Sequence, residues 1–245
     1  MRCVTDWRIG RVALSAALLA NALWLSACHT SPPTKAQSNA PWQTAPAALT
    51  PATAAHFTID SQRSQVLVLV YRDGPMGHLG HNHVIAVHNL TGSVVMMASE
   101  PAQSTFQMDF PVEAMSVDEP QLRAALGADF ETTVDEAAIA GTREHMLGAS
   151  LLDSKQYPQI HLQSQQIRAA AGALQAITRI QVRDRTAQAQ IPITLQSNGE
   201  DLTVSGEFDL THSQLGLTPY SVALGALRVA ERLHVQYQLV AHRES

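Results

Sequence analysis

The sequence predicts an all-β domain of at least eight antiparallel strands, interrupted by one helical segment. Apolar and polar residues alternate with a period of two along most of the chain after Phe57, which is typical of half-buried antiparallel strands. Asn198-Gly199 separates two such runs, and this dipeptide strongly favours a tight hairpin turn. A single stretch, about residues 120–150, is rich in helix formers instead.

The first 27 residues have the features of an export signal. They begin with three arginines, Arg2, Arg8 and Arg11. An apolar run over residues 12–25 follows, and its length suits a signal-peptide core better than a membrane span. The run ends in Leu25-Ser26-Ala27-Cys28, which resembles a bacterial lipobox.

That resemblance implies cleavage before Cys28 and lipidation of this cysteine, with acyl chains such as palmitate. Several acyl chains together anchor a protein stably to a membrane. Because His29 rather than an aspartate follows the cysteine, we expect an anchor on the periplasmic face of the outer membrane. An ordinary signal peptide with an incidental cysteine and an uncleaved anchor are the alternatives.

Residues 28–55 are predicted to be a flexible linker that carries the lipidated Cys28. The segment is rich in Pro, Ala and Thr and has no hydrophobic period, so it cannot bury enough apolar surface to fold. The predicted domain therefore covers residues 56–245.

Strands are predicted along this domain wherever the alternation holds. The clearest segments are residues 186–196, 201–211 and 231–242. Shorter segments are residues 83–87, 92–97, 105–110, 158–163 and 174–183. Residues 65–71 are almost continuously apolar, which indicates a strand with both faces covered. Strands in this number favour a sandwich or a closed barrel.

The helical interruption has a recognisable start. Thr133 followed by Glu136 matches a capping box, which predicts a helix over residues 134–147. Residues 120–126 are expected to add another helical turn or two. Tyr157-Pro158 then returns the chain to extended structure.

Composition excludes several classes of function. Hydrophobic residues make up 45% and charged residues 15% of the 245 residues, with a formal net charge of −5. The sequence contains no Lys/Arg cluster, so it lacks the positively charged surface that proteins use to bind nucleic acids. Cys3 and Cys28 are the only cysteines, so residues 56–245 hold neither a disulfide nor a Cys nucleophile.

Several short motifs follow one another in a characteristic order along the predicted domain. They are Phe57-Thr58-Ile59-Asp60 with Ser64, Gly92-Ser93-Val94, residues 143–147, Leu152-Asp153, Tyr157-Pro158-Gln159-Ile160, Pro192-Ile193-Thr194-Leu195, residues 206–210 and residues 215–219. Their order is similar to that of the YceI-like family, the lipocalin-like polyisoprenoid-binding domain. The resemblance implies an eight-stranded antiparallel lipocalin-like barrel with one helical insertion. It also implies a noncatalytic role, in which an apolar tunnel binds isoprenoids such as quinones.

Candidate ligand contacts come from the inward-facing runs and from a histidine-rich turn. They are Val68, Val70, His78, His81, His83, Phe106, Met108, Arg143, Met146, Ile191, Ile193, Phe208 and Leu210. Three small residues, Ala187, Ala189 and Gly206, could leave space inside a barrel. Arg143 could meet a polar ligand head or form a surface ion pair.

The histidines suggest an alternative function. His78, His81 and His83 lie within six residues, and three neutral imidazoles could bind Zn or Cu. A metal- or haem-related periplasmic binding protein is thus the second hypothesis. Alternatively, these histidines hydrogen-bond to the polar head of a ligand, or they simply belong to a polar turn at the barrel mouth.

The sequence does not indicate an enzyme. No nucleophile elbow, His-Glu-x-x-His motif or phosphate loop occurs, so an enzyme is not expected. The sequence also leaves open a homodimer and a structural envelope protein with no ligand.

Overall fold

The computed structural model describes residues 54–170 and 173–244, and most of them form strands. In chain order the strands are β1 (Ala54–Ile59), β2 (Gln65–Asp73), β3 (His83–Val87), β4 (Thr91–Met97), β5 (Thr105–Pro111), β6 (Met115–Val117), β7 (Gln159–Ala170), β8 (Ala173–Val182), β9 (Arg185–Ser197), β10 (Asp201–Thr211), β11 (Ser221–Val222) and β12 (Leu227–Arg243). Helices α1 (Pro120–Ala125) and α2 (Glu136–Leu147) lie between β6 and β7. Each predicted strand segment coincides with one of these strands, although β7 and β12 are longer than predicted.

The predicted leader, Cys28 and nearly all of the predicted linker lie outside the described residues. β1 begins at Ala54, two residues before the predicted domain boundary.

The strands close into an eight-stranded antiparallel barrel, which confirms the predicted fold class. Three barrel strands consist of two shorter strands placed end to end: β1 with β2, β3 with β4, and β5 with β6. The other five are β7, β8, β9, β10 and β12. β12 closes the ring, because one edge pairs with β10 and the other with β1 and β2. Consecutive barrel strands are neighbours all the way round, so the fold is an up-and-down barrel.

Local irregularities bend two of the two-part strands and the β7–β8 pair. Asn89 adopts a φ of 54° between β3 and β4, and Val112–Ala114 form one 3-10 turn between β5 and β6. The register of β7 against β8 also shifts between Ser164 and Gln166. Bends and bulges of this kind allow a twisted sheet to curl round and meet itself.

β2 is covered on both faces, as its continuous apolar sequence predicts. Its inner residues Val66, Val68 and Val70 face the barrel interior. Its outer residues Leu67 and Leu69 are buried in a second apolar cluster, which also contains the following side chains from β2, β3 and the helical insertion: Tyr71, Val84, Ala86, Leu122, Leu126 and Phe130. The helical insertion therefore packs on the outside of the barrel over β2 and β3.

The start of α2 differs from the predicted capping box. Asp135 is the N-cap, and its carboxylate accepts a hydrogen bond from the Ala138 backbone N–H at 2.7 Å. The prediction that Thr133 caps the helix is wrong, because an aspartate directly before the first helical residue supplies a better-placed acceptor. Within residues 54–170 and 173–244, no helix has the length and apolar character needed to cross a bilayer.

A charged cluster lies beside the seam where β12 meets β1. His242 contacts the Asp201 carboxylate on β10 through Nδ1 at 2.5 Å, and the Asp60 carboxylate after β1 through Nε2 at 2.8 Å. Arg63 also pairs with Asp201, at 2.9 Å. The hydrogen bonds to Asp60 and then to Asp201 raise the pKa of His242 above its ordinary value. Protonated His242 thus holds three segments of the barrel together at this seam.

We expect His242→Gln to lower the melting temperature at mildly acidic pH and to have little effect at alkaline pH. A raised folded-state pKa means that this stabilisation is fully present below the unfolded value of about 6.5 and disappears as the pH rises through the folded pKa. NMR titration of the His242 ring protons gives that pKa directly. An equal loss of stability at acidic and alkaline pH would contradict the assignment.

Candidate functional site

The barrel interior contains an apolar cavity. Its volume is about 260 Å³. Several inward-facing side chains, including Val68, Phe106 and Phe208, are half-buried rather than buried, because they border this space. The side chains therefore leave a continuous void where a filled core would be close-packed.

Every barrel strand contributes inward-facing residues to the cavity wall. On β12 these are the members of the alternating face that the sequence predicts to point inward, namely Leu233, Val235, Tyr237, Leu239 and Ala241. Nine of the thirteen candidate ligand contacts also line the wall. They are Val68, Val70, Phe106, Met108, Met146, Ile191, Ile193, Phe208 and Leu210.

Loops and the helical insertion complete the wall with residues that sequence reasoning missed. They are Pro101, Ser104, Leu151, Leu152, His212, Leu215 and Leu217. No alternation exists in a loop to indicate which side chain turns inward, so the sequence holds no local signal for these positions.

Among the described residues, three polar side chains line the cavity, and each has a hydrogen-bond partner within the protein. The Ser104 hydroxyl accepts a hydrogen bond from the Met97 N–H at 2.9 Å. The Tyr237 hydroxyl donates to the Pro192 carbonyl. His212 Nδ1 lies 3.1 Å from the Glu231 carbonyl. Because a carbonyl oxygen can only accept, Nδ1 donates the hydrogen bond in this contact.

Tyr237 fills the space beside Gly206. A Cβ atom at Gly206 would lie 2.9 Å from the Tyr237 hydroxyl oxygen and 2.6 Å from the Pro192 carbonyl oxygen. The expectation that Gly206 leaves free space is therefore wrong, because the Tyr237 side chain crosses from the paired strand to occupy it. Burial raises the pKa of the Tyr237 phenol, so this side chain remains a neutral part of the wall.

Thr178 carries a polar group that the barrel interior does not satisfy. The residue is 0% exposed and lies on β8 between the cavity-lining Ala176 and Ile180. Its Oγ1 has no hydrogen-bond partner among the described residues. A buried hydroxyl without a partner costs folding free energy, since it loses its hydrogen bonds to water.

Thr178→Val is therefore expected to raise the free energy of unfolding by about 1 kcal/mol, because valine has nearly the same shape and no hydroxyl. Thr178→Ser is the matched control. It keeps the hydroxyl and loses a methyl group, so it should lower the free energy of unfolding by about 1 kcal/mol. Urea unfolding measures both values, and a destabilised Thr178→Val variant would show that the hydroxyl is satisfied.

Comparison with known families supports the similarity noted in the sequence. The family model for the YceI-like domain matches residues 57–241. The chain belongs to the YceI-like domain family. No curated protein matches it significantly.

Several solved structures are similar to this chain at low sequence identity. BcnA from Burkholderia cenocepacia is 17% identical, with a TM-score of 0.55 over 74% of this chain and 98% of that chain. A polyisoprenoid binding domain from Saccharophagus degradans, implicated in plant cell wall breakdown, is 7% identical, with a TM-score of 0.47 over 77% and 98% of the two chains. A YCEI protein from Campylobacter jejuni is 7% identical, with a TM-score of 0.46 over 66% and 84%.

The histidine-rich turn of this YceI-like domain does not form a metal site. His78 is exposed on a 3-10 turn, and the rings of His81 and His83 are 6.2 Å apart. His83 Nδ1 lies 2.6 Å from an Asp118 carboxylate oxygen. Across the described ranges, no group of three or more His, Cys, Asp and Glu residues is placed to bind a metal ion. The structure therefore does not bring together the three histidines proposed as Zn or Cu ligands, and none of them lines the cavity.

His83 belongs instead to a buried network around Asp118. Arg123 donates to the Asp118 carboxylate at 2.6 Å, and the Val84 backbone N–H donates to it at 2.9 Å. Burial alone would raise the pKa of Asp118, but the hydrogen bonds from His83, Val84 and Arg123 outweigh burial and lower it. The ionised carboxylate joins β3 to the helical insertion, and this stabilisation is lost as the pH falls through the lowered pKa.

Arg143 lies outside the cavity wall. Its guanidinium donates to the Glu113 carbonyl at 2.8 Å, which fixes α2 against the turn between β5 and β6. Arg143 is thus placed to position α2 and does not reach a ligand in the barrel interior.

Proposed function

We propose that this YceI-like domain is a noncatalytic binding protein for a long apolar molecule, such as an isoprenoid of the quinone type. The observation that carries the proposal is the unfilled cavity of about 260 Å³. Burying apolar ligand surface there is favourable by about 25 cal/mol per Å². The similarity of the sequence to the polyisoprenoid-binding family supports the same ligand class.

The chemistry of the wall restricts the ligand further. In the part of the chain that the structure describes, no Asp, Glu, Lys or Arg lines the cavity, so a charged head group would lose its hydration without gaining a partner. The ligand should therefore place an uncharged chain inside the barrel.

The leader sequence supports a location in the cell envelope. We propose that Cys28 carries the lipid anchor and holds the domain at the periplasmic face of the outer membrane. Metabolic labelling with palmitate tests this. The wild-type protein should incorporate the label, whereas incorporation that persists in Cys28→Ser would refute lipidation at this residue.

Ligand binding is tested on the full chain by organic extraction and mass spectrometry of the purified protein. We expect a long uncharged apolar compound that co-purifies with the protein. Retinol, a fluorescent isoprenoid alcohol, should also bind saturably to protein from which lipid has been removed. An extract without lipid together with no saturable retinol binding would refute the proposed function.

A further inference from the structure

Four large apolar side chains are exposed at one end of the barrel. Leu224 is fully exposed, and Leu79 is 58% exposed. Tyr220 and Met76 are exposed at 44% and 40%. All four lie on the loop between β2 and β3 or on the segment between β10 and β12. We refer to these four residues as the loop surface.

The two segments touch, so their exposed residues form a single surface. The Met76 backbone N–H donates to the Ala226 carbonyl at 2.8 Å. A Cβ atom at Gly74 would lie 2.5 Å from that same carbonyl oxygen, so the segments approach as closely as their backbones allow. The Tyr220 ring also packs against His145 of α2, with ring centroids 4.4 Å apart.

Formal charge is missing from both segments. Residues 74–83 and 212–227 contain no Asp, Glu, Lys or Arg, although exposed loops usually carry such residues. The nearest cations lie at the base of the loops. Arg72 donates to the Gly80 carbonyl at 2.6 Å, and Arg228 pairs with Asp73 at 2.7 Å.

The backbone holds Leu224 away from the protein. Ala223 and Leu224 adopt φ values of 51° and 55°, and Gly225 adopts 88°. L-residues rarely adopt this left-handed region, and here the turn presents a leucine to solvent. The same segment is continuous with the cavity wall, to which His212, Leu215 and Leu217 contribute.

We propose that the loop surface inserts into the interface of a lipid bilayer, next to the end of the cavity that these loops border. Exposed apolar patches mark protein or membrane contacts, and this one favours a bilayer. Its side chains project from uncharged loop tips, Tyr is enriched at membrane interfaces, and Arg72 and Arg228 lie at the base of the loops. In the context of the proposed function, the contact would let an apolar ligand pass from membrane to barrel without crossing water.

Hydrogen exchange of the full chain, with and without phosphatidylcholine vesicles, tests the contact. We expect vesicles to slow amide exchange in residues 74–80 and 220–226, and to leave the turn at residues 198–200, at the opposite end of the barrel, unchanged. The protection should persist at a salt concentration of about 0.5 M, because the loops carry no formal charge to be screened.

A variant with Leu79→Ser and Leu224→Ser should need at least about tenfold more lipid for the same protection, since two leucines no longer enter the interface. Gln196→Ser, on the exposed face of β9, is the control and should leave the lipid requirement unchanged. Both substituted leucines are exposed, and thermal unfolding checks that the variants fold.

Three results would overturn the proposal: no local protection by vesicles, equal protection of residues 198–200, or protection that needs no lipid and grows with protein concentration. The last would assign the loop surface to a second copy of the chain. Retinol binding in the absence of vesicles is measured separately, so a failed membrane contact remains distinguishable from a failed binding function.

Discussion

Asp118→Ala should lower the free energy of unfolding by about 3–5 kcal/mol, because it leaves the Arg123 guanidinium buried without its carboxylate partner. The Asp118 side chain is 0% exposed and that of Arg123 is 8% exposed. Asp118 also adopts a φ of 55°, which alanine tolerates less well than aspartate. Urea unfolding monitored by circular dichroism measures the change.

Asp73→Ala is the control for this prediction. It breaks the exposed ion pair with Arg228, which has a contact distance of 2.7 Å, so the loss should be within about 1 kcal/mol. Asp118→Asn keeps a carbonyl acceptor and a residue that tolerates the left-handed conformation, so it should cost less than Asp118→Ala. If Asp118→Ala is no more harmful than Asp73→Ala, the Asp118 network does not hold the helical insertion to the barrel.

Ile193→Trp should weaken retinol binding by at least about tenfold, because the larger ring occupies space that the ligand needs. Ile193 lines the cavity and is half-buried, so an indole can extend into the void. The dissociation constant from retinol fluorescence measures the effect, and the melting temperature shows whether the variant remains folded.

Thr194→Trp is the matched control on the next residue of β9. Thr194 is exposed and points to the opposite face of the strand, so the same tryptophan there should leave the dissociation constant unchanged. Equal retinol affinity in the two folded variants would show that the ligand does not occupy the barrel interior near Ile193.

The strands of this domain were predictable because their alternation is a direct consequence of a sheet with one covered face. β12 is an example, since the alternate residues Leu233, Val235, Tyr237, Leu239 and Ala241 line the cavity. The burial of both faces of β2 was also predictable from the sequence, because the outward-facing residues of this strand are apolar as well. Each residue of a strand is apolar or polar according to whether its face is buried or exposed. The resulting hydrophobic pattern lies within one short segment, so it can be recognised in the sequence.

The candidate site was predictable on the strands and not in the loops. Phe208 and Ile193 belong to alternating runs, whereas Leu215 and Leu217 line the cavity from a loop. The spacing of His78, His81 and His83 suggested that they converge, but Asp118, distant in sequence, holds the His83 ring instead. Contacts between residues far apart in the chain decide where such side chains point.

The sequence by itself therefore determined the strands, their inward faces, the helical interruption and the family, because each is carried by local pattern or by the order of motifs. Only the tertiary structure decided that the barrel interior is unfilled, that Tyr237 covers Gly206, and that the uncharged loops meet in one exposed apolar surface. A void is the difference between the volume that the closed strands enclose and the volume that their side chains fill. That difference depends on all the barrel strands at once, so no local stretch of sequence contains it.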